Sequence, residues 1–112
     1  MKHSFSLCPV PFELIKSEHK KIEMRLLDKK RSLLKVGDTI VFIHSETKEE
    51  IVARICDLKD FDSFEELYKN YSMIELGYGP NEVADHEDML IYYSEEKQRK
   101  FRALAIRIEL EK

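Results

Sequence analysis

The segment Thr39–His44, TIVFIH, constrains the fold of this chain most. It is apolar on nearly both faces. A strand of that kind lies in the interior of a sheet or in the wall of a closed barrel, where both sides are covered. The polar stretch Ser45–Lys48 reads as a hairpin loop, and Glu50–Leu58 returns as the partner strand. Toward the end of the chain Leu104, Ile106, Ile108 and Leu110 alternate with Ala103, Ala105, Arg107 and Glu109, which predicts a further strand. Residues 21–26 alternate as well. Ile22, Met24 and Leu26 point one way, and Lys21, Glu23 and Arg25 the other. Residues 2–7 alternate loosely and read as a short first strand.

Short helices fall between these strands. Pro11 suits a first helical turn, and Phe12 and Ile15 follow at helical spacing, so residues 11–18 read as a helix. The basic residues Asp28–Leu34 read as a short helical turn or a loop. Ser63 and Glu66 form a capping box ahead of a helix over Phe64–Tyr71. Asp85 caps a helix running to Tyr93, and Ser94 caps another over Glu95–Lys100. No βαβ repeat emerges. The expected class is α+β: a small, partly closed β-barrel of five or six strands with short helices over its ends. At 112 residues the chain has room for one domain, spanning 1–112.

Composition excludes several functional classes. No run approaches the ~18 apolar residues of a membrane span, so no membrane partner is expected. The first residues lack a long apolar signal core. Cys8 and Cys56 cannot build a disulfide framework and read as free thiols, which points to a cytoplasmic protein. His3, His19, His44 and His86 lack metal-ligand spacing, and no Gly-rich phosphate loop occurs, so neither metal nor other cofactor is expected. The net charge of −3 argues against indiscriminate binding to long polyanions. That total hides a division. Lys16–Lys35 holds eight bases and three acids, whereas Asp57–Glu96 holds two bases and twelve acids. The basic segment is either a solvated face or the lining of an anion site.

Within the basic segment, Glu18–Arg25 (EHKKIEMR) carries the most chemistry. Strand parity puts Glu23 and Arg25 on one face. Lys20 sits at a helix–strand junction and can join them. In a barrel mouth such a cluster can hold a phosphate or a base edge through Arg25 and Lys20. A lysine near a carboxylate in a dry cleft can also move protons. On a flat exposed face the same residues would be a surface ion-pair row. Tyr78 lies between Gly77 and Gly79, where it could stack on a base or pack over the barrel end.

This stretch resembles the G-x-K-x-x-E-x-R signature of ASCH domains, which are PUA-like β-barrels associated with RNA. The matching residues are Lys20, Glu23 and Arg25; Glu18 stands where the signature has glycine. Three other features look like the family's small bacterial members, in the same order: the Lys35–Asp38 turn, the Phe61–Tyr68 helix, and Tyr92-Tyr93-Ser94 before the last strand. The resemblance implies a cleft lined by the signature residues and a role in RNA or nucleotide recognition. One branch of the family removes the acetyl group from acetylated cytidine. There the motif lysine activates a threonine three residues later, with help from a downstream glutamate. Here the lysine is Lys20, the threonine position is Glu23, and Glu82 stands near the place of the downstream acid.

Three functions follow as expectations. The first is an RNA- or nucleotide-binding domain with Lys20, Lys21, Arg25 and Tyr78 as ligand contacts. The second is an enzyme, an amidohydrolase on an acylated cytidine or other modified nucleoside, or a ribonuclease, with Lys20, Glu23 and Glu82 as catalytic groups. The third is a protein-interaction domain working through the acidic face 57–96.

Overall fold

In the computed structural model, which describes residues 1–111, the alternating segments become five strands of a single sheet. They are β1 (Lys2–Leu7), β2 (Ile22–Leu27), β3 (Thr39–His44), β4 (Glu50–Phe61) and β5 (Arg102–Leu110). Their order is β1-β3-β4-β5-β2. β1 pairs with β3 in parallel, and the other neighbours are antiparallel. The sheet curls into a half-barrel whose two edges are β1 and β2. β3 lies between β1 and β4, which explains why TIVFIH is apolar on both faces: Ile40, Val41 and Phe42 are all buried.

β4 runs three residues past its expected end. A bulge between Ile55 and Asp57 breaks the register and shifts the alternation, so Phe61 pairs with Ala103 and packs inward. The first helix, α1 (Pro9–Lys16), starts at Pro9 rather than Pro11. The leading N–H groups of a helix have no partner within it, so both prolines fit the first turn. Two further helices are α2 (Phe64–Lys69) and α3 (Glu95–Lys100). Ser63 accepts from the Glu66 N–H at 3.2 Å, but the Glu66 carboxylate pairs with Lys69 instead of closing the capping box. Asp85 accepts from the Glu87 N–H and starts a 3₁₀ turn, His86–Ile91, where an α-helix to Tyr93 was expected.

Two apolar clusters form on the two faces of the sheet. Leu104, Ile106 and Ile108 of β5 join Phe5, Phe12, Ile15, Ile40 and Phe42 in the first. The opposite face of β5 carries Ala103 and Ala105, small enough for α2 to pack close through Phe64 and Leu67. Met24 and Met89 complete that second cluster. Each large apolar side chain so buried stabilises the fold by roughly 1.5–3 kcal/mol. Among the described residues no helix is long and apolar enough to cross a membrane.

Candidate functional site

The end of α1 places Lys20. Glu18 takes the left-handed conformation, φ 65°. Its N–H donates to the Ile15 carbonyl, and the His19 N–H donates to the Leu14 carbonyl, both at 2.9 Å. These two bonds are a Schellman termination, the setting in which a glycine is commonest. The signature glycine is thus replaced by Glu18 with the turn intact. The Lys20 N–H also donates to Leu14, so the chain turns sharply into β2.

The loop 72–79 then covers the lysine. The N–H groups of Lys21 and Ile22 both donate to the Glu75 carbonyl, tying the loop to the start of β2. Gly77 adopts φ +105°, and a Cβ there would lie 3.1 Å from Lys20 Cδ. The backbone angle favours glycine here, and a Cβ would also press on the lysine stem.

Glu23 and Arg25 face the same side of the sheet as their β5 partners Ile106 and Leu104. This face is not an exposed ion-pair row: the side chains of Lys20, Glu23 and Arg25 are only 10%, 5% and 12% exposed. Lys20 Nζ lies 3.6 Å from Glu23 Oε1. Arg25 donates through Nε to Glu23 Oε2 at 2.9 Å, and its Nη2 is equally close. Nη2 also donates to the Ser6 carbonyl of β1 at 3.2 Å, bridging the open seam of the half-barrel. The Arg25 guanidinium sits 4.8 Å from the centre of the Phe5 ring. Burial opposes its charge, but Glu23 and Tyr93 outweigh that and raise its pKa.

These three residues line one wall of a cleft of about 680 Å³. The mouth is formed by the start of α1, the loop 74–82 and the residues 88–93. Tyr78 and Glu82 also line it. The Tyr78 hydroxyl is committed to the fold: it donates to Asp88 Oδ2 at 2.7 Å and shares a 2.9 Å hydrogen bond with Tyr68. Burial, Tyr68 and Asp88 push its pKa upward. Glu82 Oε1 accepts from the Gly79 N–H at 2.6 Å, closing its own loop. Lys21 lies outside the cleft, with its side chain exposed.

Two cleft residues were not singled out from the sequence. Arg31 lines it, with its guanidinium 5.0 Å from the Phe5 ring. Nη1 pairs with Asp28, while the buried Nε has no hydrogen-bond partner among the described residues. Its signal was membership of the basic segment. Tyr92 lines the mouth and is half exposed; its signal in the sequence is its place in Tyr92-Tyr93-Ser94. Next to it, burial raises the Tyr93 phenol, against the pull of Arg25 and Arg31.

The acids of 57–96 do not form one free surface. Asp60 and Asp62 both pair with Arg102, and Glu75 pairs with Arg107. Among the described residues no three His, Cys, Asp or Glu side chains gather as metal ligands would.

The ASCH domain profile matches residues 5–112. The crystal structure of hypothetical protein PH0355 superposes with a TM-score of 0.82 at 30% identity, covering 99% of this chain and 100% of that one. The solution structure of protein PF0455 from Pyrococcus furiosus gives 0.73 at 32% identity, covering 98% and 97%. An ASCH domain from Lactobacillus crispatus gives 0.72 at 12% identity, covering 97% of this chain and 79% of that one, and it shows the shared fold. Among curated proteins none matches the chain. The profile match, together with the shared half-barrel, shows that the chain belongs to the ASCH domain family, with its PUA-like α+β fold.

Proposed function

We propose that the protein binds a nucleotide or a short single-stranded RNA in this cleft. The observation that carries the reading is the convergence of Lys20, Glu23 and Arg25 in one concave, largely buried site. Lys20, Arg25 and Arg31 place three cations in a lining that also carries the carboxylates of Glu23, Glu82 and Asp88. The guanidinium groups offer a phosphate paired donors. The cleft is nucleotide-sized, and the rest of the surface is net acidic, which disfavours long polyanions.

Titration of short single-stranded RNAs over a salt series tests this. Each neutralised phosphate contributes a slope of about −0.7 in log K against log salt. Two phosphates at the cleft would weaken binding by about sevenfold between 50 and 200 mM salt. Absence of salt-dependent affinity for any short RNA or nucleotide would overturn the reading.

The Lys20–Glu23 contact favours a second reading, hydrolysis of an acylated nucleoside. The threonine of the acetyl-removing branch is absent, so water would be the nucleophile. Glu23 would take its proton, and Lys20 would donate to the leaving amine. Turnover of acylated cytidines that disappears in Lys20→Ala supports this; no hydrolysis above buffer contradicts it.

A further inference from the structure

Four of the chain's five tyrosines line the cleft: Tyr68, Tyr78, Tyr92 and Tyr93. Three of them already have ring partners. Tyr93 stacks on Phe64, with centroids 6.1 Å apart and 15° between the planes. Tyr68 and Tyr78 meet edge to face at 6.0 Å. Tyr92 enters no such ring contact among the described residues, and it is 49% exposed.

Its position is nonetheless anchored. The Tyr92 N–H donates to the Met89 carbonyl at 3.1 Å, at the end of the 3₁₀ turn. Its phenol lies within electrostatic reach of Cys8, Glu23 and Asp88. Ile91 and Val10, also at the cleft mouth, are 81% and 70% exposed. Large apolar side chains left open around a concave site mark a surface that a ligand covers. Arg25 and Arg31, paired with Glu23 and Asp28, lie in the same cleft, which suits a ligand with an anionic end and a flat apolar end. A nucleotide has both.

We infer that the ring of Tyr92 is the platform on which one unpaired base stacks, with the attached phosphate at the Arg25–Arg31 end. This rests on the nucleotide-binding reading and adds the residue that engages the base. The platform is sequence-tolerant, because every base offers a π-face. It requires the ring and not the hydroxyl. Tyr78, despite its glycine-flanked loop, holds the wall of the cleft instead.

Calorimetric titration of the full chain tests the platform. The probes are the four ribonucleoside 5′-monophosphates, the four homopolymeric tetranucleotides and inorganic phosphate. Tyr92→Ala is expected to weaken the nucleotides by about tenfold, in line with the alanine-substitution cost of one stacked base. Tyr92→Phe is expected to bind like the parent, and phosphate affinity is expected to be the same in all three proteins. Tyr92→Ala binding nucleotides as tightly as the parent would overturn the platform and leave the nucleotide reading standing. So would equal losses for nucleotides and phosphate, or Tyr92→Phe losing as much as Tyr92→Ala. If the parent binds none of the nucleotides, both fall together.

Discussion

Glu23 is the residue on which the site depends structurally. It is a buried carboxylate that receives Lys20, Arg25 and the Met24 N–H. Removing it leaves two largely buried cations without their carboxylate. Breaking one side of a buried ion pair costs about 3–5 kcal/mol. Glu23→Ala should therefore lower stability by roughly that amount in chemical denaturation, and Glu23→Gln by less, since it keeps the acceptor oxygen. An unchanged midpoint for Glu23→Ala would contradict the buried geometry. A loss of activity in Glu23→Ala alone is thus ambiguous between chemistry and folding. Lys20 is the cleaner variant for activity, because Arg25 remains to pair with Glu23 in its absence.

The strands were legible where alternation was unbroken, and less so where a backbone device intervened. β1 and β5 follow period-two patterning, and β3, apolar on nearly both faces, is bounded by the turns that flank it. β4 was cut short because the bulge at Cys56 moves its later residues to the other phase. The pairing of Glu23 with Arg25 followed from strand parity. Their burial did not, because the cover comes from residues 74–93, far along the chain. For the same reason the sequence left Tyr78 open between stacking on a base and packing over the barrel end: its hydroxyl partners, Tyr68 and Asp88, come from separate elements. At the end of α1, Glu18 holds a left-handed angle that glycine adopts at no steric cost. Glu18→Gly should raise stability by about 0.5–1 kcal/mol in thermal or chemical unfolding. A loss of stability would show that the side chain of Glu18 contributes more than its backbone angle costs.

At the scale of the whole molecule, two devices hold the half-barrel. Arg25 spans the seam between β2 and β1 through the Ser6 carbonyl. Asp38 secures β1 against the start of β3: it accepts from His3 Nε2 at 2.8 Å, the Met1 amine at 3.2 Å and the Lys35 N–H at 3.1 Å. The hydrogen bond from His3, with the Met1 amine and the Lys35 N–H, holds its carboxyl at about 2, below the usual 3.8. A carboxyl with a depressed folded-state pKa stabilises the fold above its unfolded value and loses that contribution as pH falls through the folded one. Stability should drop between about pH 4 and pH 2, and Asp38→Asn should flatten that part of the profile. A profile identical in the variant would remove Asp38 from the account.

The division of charge also belongs to this scale. The basic segment supplies Lys20, Arg25 and Arg31 to the cleft, while Asp60, Asp62 and Glu75 of the acidic segment pair with Arg102 and Arg107. Net charge alone says nothing of this local arrangement. The most direct test is amide chemical-shift mapping of the isotope-labelled chain during titration with a short single-stranded RNA. The account predicts shifts concentrated at 19–25, at Arg31, at 76–79 and at 91–93, saturating together. Shifts confined to residues 57–69, or none at any concentration, would contradict it.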